Sequence, residues 1–415
     1  MNFTDLYEQM VNATLDGTAG KAQEDTLREG ADPYHLDCLL NPGAHPPVWR
    51  LKNCMCASDR SAPCIDNCIF DAMVRDDKGN VTIDPDKCVG CEECVRRCEE
   101  SNLTASRDIL PALAAVRTGT APVYAMIAPA FVSQFAPEVT PGRLRSAFKA
   151  LGFAGMVEVA TFADILTLKE ALEFDHKITT EKDFQLTSCC CPIWIAMIRK
   201  VYRQLMPHVP GAVSPMIACA RTIKTLYPEA KTVFIGPCVA KKAEAREPDL
   251  AGDVDFVLTF REVQDIFDFA HIDPASLPED DRDHSSRAGR IYARAGGVSE
   301  AVTDTVERLS PHRKIAVHSQ RADGVPACKK LLEELMKGET SANFFEGMGC
   351  VGGCVGGPKA LIDRNEGKRH VDSYGAEASY PTPIDNPYVI ELLHRLGFDT
   401  VEALLKKSEL FTRDF

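Results

Sequence analysis

The sequence predicts an α/β protein in which parallel sheets are covered by helices, preceded by a small cysteine-rich domain. From Val123 onward, short apolar runs alternate with amphipathic stretches of helical period, which is typical of parallel sheets covered by helices. Three cysteine blocks in this region each follow an apolar run. We therefore expect them beyond the carboxyl ends of strands, where the loops of parallel sheets converge. Ahead of this region, eight cysteines are crowded into residues 54–98.

Length, charge and cysteine content narrow the class of protein. The 415 residues suffice for two or three domains, and the net charge of −13 argues against nucleic acid and gives no support for an anionic membrane surface. No uncharged apolar stretch is long enough to span a bilayer, and the N-terminus lacks the pattern of a signal peptide. Nine of the 17 cysteines lie at or before Cys98 and eight at or after Cys189. We expect them to be reduced metal ligands of a cytoplasmic protein.

The chain divides into four predicted segments: an N-terminal extension (1–50), the cysteine-rich domain (51–105), the large domain (120–372) and a C-terminal tail (373–415). The extension is predicted to begin with a helix over residues 4–15, capped by Thr4, and to contain Cys38 as a structural thiol. The candidate strands of the large domain are residues 123–127, 156–158, 184–186, 232–235, 254–258, 314–318 and 344–346. The candidate helices are residues 143–151, 162–176, 193–206, 217–226, 261–267, 327–337 and 388–396. The charged stretch 273–287 is expected to be a solvated insertion without a site.

The cysteine-rich domain contains two copies of one ligand rule. Its second half reads C-x2-C-x2-C-x3-C after a short predicted strand, which is the bacterial ferredoxin run whose fourth cysteine serves the other cluster. Its first half reads C-x-C-x7-C-x3-C, with the same last step. Crossing the fourth ligands predicts one [4Fe-4S] cluster on Cys54, Cys56, Cys64 and Cys98, and a second on Cys68, Cys88, Cys91 and Cys94. The alternative is a zinc site, since paired C-x2-C units also bind zinc.

The large domain contains three cysteine blocks. They read TSCCCPIW at residues 187–194, GPCVAKKAE at residues 236–244 and FFEGMGCVGGCVGGP at residues 344–358. Glycine permits positive φ and close approach, so the last block suits a loop pressed against a bulky ligand. Thiolates held in such loops bind metal clusters.

Together the three blocks resemble the signature segments of the [FeFe]-hydrogenases, TSCCP-x-W, MPC-x-x-K-x-x-E and E-x-MAC-x-x-GC-x-x-GG. The blocks occur in the right order, with one extra cysteine in the first, and this triple cysteine resembles the divergent clade often called group B. The resemblance covers roughly residues 120–396 and implies two sheet-based lobes with the H-cluster in the cleft between them. That cofactor is a [4Fe-4S] cube bridged through one cysteine to a diiron unit with CO, cyanide and a bridging dithiolate. The tail resembles the strap that wraps the catalytic domain in this family.

The resemblance implies three of the four cube ligands directly: Cys238, Cys350 and Cys354, the last bridging to the diiron unit. The fourth depends on how the triple cysteine is aligned. Anchoring on Pro192 and Trp194 makes Cys191 the ligand and Cys190 the thiol that passes protons to the diiron unit. Anchoring on Thr187 and Ser188 shifts both roles back by one residue, to Cys190 and Cys189. We favour the first alignment, and the second stays open.

Further residues of the diiron pocket are implied by the same resemblance. Lys241 matches the lysine that pairs with a cyanide, Glu244 completes its register, and Met348 matches the methionine near the bridging CO. The loop whose backbone amides face the other cyanide corresponds to Ala128, Pro129 and Ala130. The remaining residues expected to line the pocket are Ser214, Pro215, Met216, Gly236 and Pro237. Gly236 replaces the usual methionine and Met216 a frequent glutamine, so we expect this pocket to be lined differently.

Proton transfer is expected to depart from the family pattern. Glu170 and Glu173 match the two acids of the usual relay, but Pro210 occupies the place of its serine and cannot carry a proton. We therefore expect a rerouted exit path, through water or the extra thiol. Cys328, on a helical stretch reading CKKLLEEL, is expected to be a core residue.

These observations predict a hydrogenase that catalyses reversible H2 oxidation and proton reduction. Electrons would pass through the two [4Fe-4S] clusters to a ferredoxin or similar soluble carrier, and maturation proteins would install the diiron unit. One alternative is an iron-sulfur assembly or scaffold protein that keeps the cube ligands but lacks the diiron unit. Cys190 and Lys241 argue against it, since neither is needed to hold a cube alone. A second alternative is a hydrogen sensor.

Overall fold

The structure is a computed structural model that describes residues 1–52, 54, 56, 62–187 and 190–415. Its helices are Phe3–Leu15, Ala19–Arg28, Pro33–Leu40, Pro63–Asp66, Glu93–Arg96, Ile109–Thr118, Pro141–Leu151, Ala160–Lys177, Pro192–Lys200, Pro215–Leu226, Ala240–Ala245, Phe260–Phe269, Arg287–Arg290, Gly297–Leu309, Val325–Lys337, Arg364–Ala376 and Pro387–Arg395. Its strands are Val48–Arg50, Met73–Arg75, Val81–Ile83, Leu103–Ala105, Val123–Ile127, Gly155–Glu158, Gln185–Leu186, Lys231–Gly236, Phe256–Thr259, Ser319–Asp323 and Phe344–Met348.

Two parallel sheets form the centre of the large domain, which confirms the predicted fold class. The first has four strands in the order Gly155–Glu158, Val123–Ile127, Lys231–Gly236 and Phe256–Thr259. Its two central strands are almost wholly buried, as expected for a parallel sheet with helices on both faces. The second sheet has three strands in the order Ser319–Asp323, Phe344–Met348 and Gln185–Leu186.

The helix Ala160–Lys177 is buried from Ala160 to Phe174. A helix that is covered on all sides can contain polar residues only if they find partners. Asp164 accepts hydrogen bonds from the Ser286 amide at 2.6 Å and from the Gly289 amide at 2.8 Å. Glu170 lies two turns further along the same helix and is 1% exposed.

The N-terminal residues pack on the large domain through polar and apolar contacts. Tyr7 donates a hydrogen bond to Asp265 at 2.6 Å, and the guanidinium of Arg107 lies 3.9 Å from the centre of the Tyr7 ring. Cys38 is fully buried, as expected for a structural thiol. Within the described residues, we find no helix whose length and apolar character would let it cross a bilayer.

Several boundary predictions are wrong. Residues 314–318 are not a strand, and the edge strand instead begins at Ser319. The helix predicted over residues 193–206 ends at Lys200, and a 3₁₀ turn, Arg203–His208, follows it with Pro207 inside. The first helix is capped by Asn2, whose side chain accepts from the Asp5 amide at 2.9 Å, and not by Thr4.

The charged stretch 273–287 is only in part the solvated insertion that was expected. Its first half is largely exposed, but Ser285 and Ser286 are 2% and 0% exposed. The hydroxyl of Ser286 donates to Asp164 at 2.5 Å. The end of the stretch therefore belongs to the core beneath the central helix.

Candidate metal centre

Three loops that follow strands of the two parallel sheets bring four cysteines together. Cys238 lies beyond the end of a central strand of the four-stranded sheet. Cys191 and Cys350 lie beyond the ends of neighbouring strands of the three-stranded sheet, and Cys354 follows in the same loop as Cys350. The carboxyl ends of parallel strands are where such sheets bind ligands.

The four sulfur atoms lie within electrostatic reach of one another. Burial, followed by the charge of Cys191, raises the pKa of Cys354 to about 12. Burial is also the main cause that raises the pKa of Cys238, and the charges of Cys191 and Cys354 come next. For Cys350, burial again raises the pKa most, and the charges of Cys238, Cys191 and Cys354 come next. Thiols in such a place need a positive partner, such as metal ions, to become the thiolates that serve as ligands.

The glycine-rich loop packs too closely for other residues. Gly353 has φ +86°, and a Cβ atom there would lie 2.6 Å from the Ala295 nitrogen and 2.8 Å from the Met348 sulfur. The amide of Gly349 donates a hydrogen bond to the Cys191 sulfur at 3.3 Å. The loop is therefore packed against the segment at Ala295 and joined by a hydrogen bond to Cys191.

A buried ammonium group lies beside this cysteine cluster. Lys241 Nζ is 2.6 Å from a carboxylate oxygen of Glu244, and the two residues are 7% and 2% exposed. Burial lowers the pKa of Lys241, but Glu244 and the thiols of Cys238 and Cys190 more than compensate, so its pKa lies above the ordinary value. The lysine is therefore charged in a place from which water is largely excluded.

The other residues predicted to line the site lie at the ends of neighbouring elements. Ala128 follows the strand Val123–Ile127, and its Cβ would be 3.1 Å from a Cβ built on Gly236. Pro129 and Ala130 begin a 3₁₀ turn. The cap of the helix Pro215–Leu226 is Ser214, whose hydroxyl accepts from a backbone amide in the first turn. The rest of this set lies close to the same strand and helix ends. Pro215 and Met216 are the first two residues of that helix, Pro237 lies between the strand Lys231–Gly236 and Cys238, and Met348 is the last residue of the strand Phe344–Met348.

Of the two acids predicted for proton transfer, Glu170 is the one whose charge acts on Cys190. Burial raises the pKa of Cys190, and the charge of Glu170 is the next cause. Glu173 instead forms ion pairs with Lys169 at 2.9 Å and Lys177 at 2.7 Å. Burial alone would raise the pKa of Glu173, but the two ammonium groups outweigh it and hold the pKa below its usual range.

Tyr292 is a polar neighbour that the sequence did not single out. Its hydroxyl is 2.8 Å from that of Thr167, and burial followed by the charge of Glu170 raises its pKa. Cys190 also raises the pKa of Tyr292. Nothing local in the sequence marks this tyrosine, because it reaches the site only through tertiary packing.

The cysteine-rich domain groups its eight cysteines into two sets. In one, burial raises the pKa of Cys64, and Cys98 and Cys54 raise it further. The residues that share one cavity with Arg50 and Val81 include Cys54, Cys56, Cys64 and Cys98. In the other, burial followed by the charges of Cys91 and Cys68 raises the pKa of Cys88 to about 12. Burial and the charges of the same two thiols also raise the pKa of Cys94. The structure therefore brings together the sets that the crossed ligand rule predicts.

These three sets fit iron-sulfur clusters by their donor chemistry. Each consists of thiols alone, and apolar residues such as Val48, Met73 and Leu103 surround the cysteines of the small domain. In the described part of the chain, no group of three or more His, Cys, Asp or Glu side chains is arranged to hold a single metal ion. An iron-sulfur cluster spans more space than one ion, so its ligands lie further apart.

The set of Cys68, Cys88, Cys91 and Cys94 directly adjoins the loop that carries Cys238. Gly90, between Cys88 and Cys91, has φ +70°, and a Cβ atom there would lie 3.0 Å from the carbonyl oxygen of Val239. Val239 is the residue after Cys238. The backbone at Gly90 thus packs directly against the backbone at Val239, between the cysteine-rich domain and the loop of Cys238.

Comparison with known families matches residues 121–358 to the family described as iron only hydrogenase large subunit, C-terminal domain. Iron hydrogenase 1 of Clostridium pasteurianum is 27% identical over 275 residues, which cover 57% of this chain and 48% of that protein. The NADP-reducing hydrogenase subunit HndD of Solidesulfovibrio fructosivorans is 27% identical over 367 residues, 74% of this chain and 63% of that one. The periplasmic [Fe] hydrogenase large subunit of Nitratidesulfovibrio vulgaris is 30% identical over 261 residues, 53% of this chain and 62% of that one. The chain thus spans less than two thirds of the length of these curated relatives.

Solved structures share the fold. The structure of HydA(deltaEFG), which revealed stepwise H-cluster assembly, matches with a TM-score of 0.62 and 22% identity, over 74% of this chain and 98% of that one. A variant of the [FeFe]-hydrogenase HydA1 from Chlamydomonas reinhardtii matches with a TM-score of 0.59 and 22% identity, over 73% and 98% of the two chains. At this level of identity the likeness concerns the fold of the chain.

Proposed function

Because this chain belongs to the family of the iron-only hydrogenase large subunit, C-terminal domain, we propose that it is an [FeFe]-hydrogenase that interconverts H2 with protons and electrons. The observation that carries the proposal is the convergence of four cysteines from three loops beside the buried ammonium group of Lys241. When bound there, an H-cluster would supply the open metal site and electron storage that H2 cleavage needs and that no side chain offers.

We propose that the cube of this cofactor is held by Cys191, Cys238, Cys350 and Cys354, with Cys354 as the bridge to the diiron unit. The amide of Gly349, which donates to Cys191, supports Cys191 as the fourth ligand over Cys190. In the other alignment, Cys190 would be the ligand and Cys189 the proton-carrying thiol. Cys189 and Ser188 lie outside the described residues.

The residues around the diiron unit would bind its anionic ligands. Lys241 would pair with one cyanide, with Glu244 holding its ammonium group in place at 2.6 Å. In the opposite loop, the Ala128 amide already donates to the Ile235 carbonyl at 2.8 Å, and Pro129 has no N–H. Ala130 is therefore the amide of that loop that we propose for the other cyanide.

Protons would enter and leave through Cys190. A thiol can gain and lose a proton at its sulfur, and Glu170 is the charged group that acts most strongly on it. We propose that Glu170 follows Cys190 in the path and that Glu173 is the outer acid. Pro210 has no group to bridge them, so the path between them requires water or another residue.

Electrons would pass through the cysteine-rich domain. We propose two accessory [4Fe-4S] clusters on the two cysteine sets, in contact with the catalytic site through Gly90 and Val239. The partners proposed are a ferredoxin-like soluble carrier for electrons and maturation proteins for installing the diiron unit. We propose a cytoplasmic location for the protein.

The test is hydrogen turnover by the protein co-produced without oxygen with hydrogenase maturation proteins. Reduced methyl viologen should drive H2 evolution, measured by gas chromatography, and H2 should reduce oxidised viologen. The control is Cys354→Ser, which removes the bridging sulfur and leaves the cysteine-rich domain intact. It should keep the accessory clusters and lose both activities. Wild-type protein that contains the diiron unit but turns over in neither direction would favour the sensor function. Protein that keeps its [4Fe-4S] clusters but acquires no diiron unit would favour the scaffold function.

A further inference from the structure

One peptide group links the cysteine cluster to a buried thiol that the proposed function does not use. The amide of Gly349 donates to the Cys191 sulfur at 3.3 Å. On the other side of the same peptide, the carbonyl of Met348 accepts from the Cys328 thiol at 3.3 Å and from the Gly324 amide at 2.8 Å. The peptide is thus held from both of its polar ends.

Cys328 is placed rigidly for this contact. It is fully buried in the first turn of the helix Val325–Lys337, and its own amide donates to the Gly324 carbonyl at 3.0 Å. A second acceptor, the Ala322 carbonyl, lies at 3.5 Å from the thiol. Because a thiol has one hydrogen, the shorter contact to Met348 is the one expected to hold it.

Hydrogen bonds in series strengthen one another. When Cys328 donates to the Met348 carbonyl, it polarises the peptide and makes the Gly349 N–H a better donor to Cys191. Hydrogen bonds to ligand sulfurs are among the factors that set the potential of an iron-sulfur cluster, because they stabilise the more negative, reduced state. The effect reaches the ligand although Cys328 does not touch it.

We propose that Cys328 is a positioning residue that, through the Met348–Gly349 peptide, raises the reduction potential of the cluster held by Cys191. The proposal rests on the proposed function only in that Cys191 is a cube ligand. It does not require the diiron unit or hydrogen turnover. A thiol that only fills the core would have no such effect.

Three substitutions of Cys328 separate the two roles. Cys328→Ser keeps a donor, Cys328→Val keeps an apolar group of similar size without a donor, and Cys328→Ala removes both. A packing role predicts that valine is tolerated best and serine worst. If Cys328 acts as a hydrogen-bond donor, the midpoint potential of the cluster should instead stay closest to the wild-type value in Cys328→Ser and differ more in the two variants without a donor.

The experiment is a redox titration followed by electron paramagnetic resonance, on protein produced without maturation proteins. The signal that disappears in Cys191→Ala identifies the site cluster. Its midpoint potential should shift to more negative values in Cys328→Val and Cys328→Ala and stay near the wild-type value in Cys328→Ser. The matched control is Cys38→Val, a fully buried thiol of the N-terminal extension, which should leave the midpoint unchanged.

An equal midpoint in wild type and all three Cys328 variants would overturn the proposal, as would a shift in serine equal to that in valine. Iron content and circular dichroism check that each variant folds. If the larger side chain of Cys328→Val prevents folding, Cys328→Ala serves as the variant without a donor. If no signal is lost in Cys191→Ala, the ligand assignment fails instead. The two failures are therefore distinguishable.

Discussion

The ammonium group of Lys241 lies 2.6 Å from the carboxylate of Glu244, and both side chains are buried next to Cys238. A buried lysine without a partner would lose its charge, because burial disfavours the ammonium form. Glu244 and the neighbouring thiols keep it charged here. Lys241 therefore presents the positive end of an ion pair to the edge of the cysteine cluster.

Lys241→Met should lower hydrogen turnover by about 100-fold, the usual cost of removing one preorganised charged donor. The four cysteines are untouched, so the cube should still assemble, and the iron of the unmatured protein should equal that of wild type. The measurements are viologen-linked turnover and iron content. Lys329→Met, which removes an exposed lysine, is the control and should change neither. Full activity in Lys241→Met would contradict the assigned role.

Cys190→Ala and Cys191→Ala should have different effects if Cys191 is the ligand. Cys191→Ala should lose the paramagnetic signal of the site cluster, because a cube needs its fourth thiolate. Cys190→Ala should keep that signal and lose turnover, because the proton-carrying group is gone. The opposite result would favour the alignment in which Cys190 is the ligand and Cys189 carries protons.

Glu170→Gln should reduce turnover more than Glu173→Gln. Glu170 acts directly on Cys190, and loss of a general acid typically costs about 100-fold or more. Glu173→Gln, at the outer acid, should lower turnover less and should also lower the free energy of unfolding by about 3 kcal/mol, because it breaks a buried ion pair with Lys169. Turnover and chemical denaturation of both variants measure this. If turnover stays intact with both acids changed to alanine, neither belongs to the proton path.

The carboxylate of Asp164 predicts a pH dependence of stability. Burial raises the pKa of Asp164 to about 7, despite the hydrogen bonds from Ser286 and Gly289. Between about pH 4 and 7 the folded state therefore keeps a proton that the unfolded state releases. The free energy of unfolding consequently falls as pH rises through this window and levels off above it.

Asp164→Asn cannot titrate and should lack this contribution. The deficit in melting temperature relative to wild type should therefore be larger near about pH 4.5 than near about pH 8. Ser286→Ala keeps the carboxyl group but removes a hydrogen bond that favours its charged form, so the fall in stability should remain and extend to higher pH. A deficit in Asp164→Asn that is constant or grows with pH would show that the carboxyl group ionises near its ordinary pKa.

The parallel sheets could be predicted because their strands are short, apolar and followed by loop signals. Six of the seven strands predicted for the large domain overlap observed ones. The edge strand Ser319–Asp323 escaped detection because it is polar and largely exposed, so that it has no apolar period. The burial of Ser286 was equally hidden, since its partner Asp164 lies more than a hundred residues away.

Cysteine spacing predicted which thiols of the cysteine-rich domain would lie together, because the ferredoxin ligand rule is local in sequence. Spacing could not decide between Cys190 and Cys191, since adjacent cysteines satisfy it equally well. That choice depends on the amide of Gly349, and the position of Cys328 depends on the same peptide. Both are tertiary contacts with no signature in the sequence.

The central claim is that the sulfurs of Cys191, Cys238, Cys350 and Cys354 hold one cube that is joined to a diiron unit. Infrared spectroscopy of the matured protein tests it most directly, because metal-bound CO and cyanide absorb where protein does not. We expect CO and cyanide bands in wild type and none in Cys354→Ser. Their absence from wild-type protein after full maturation would contradict the account.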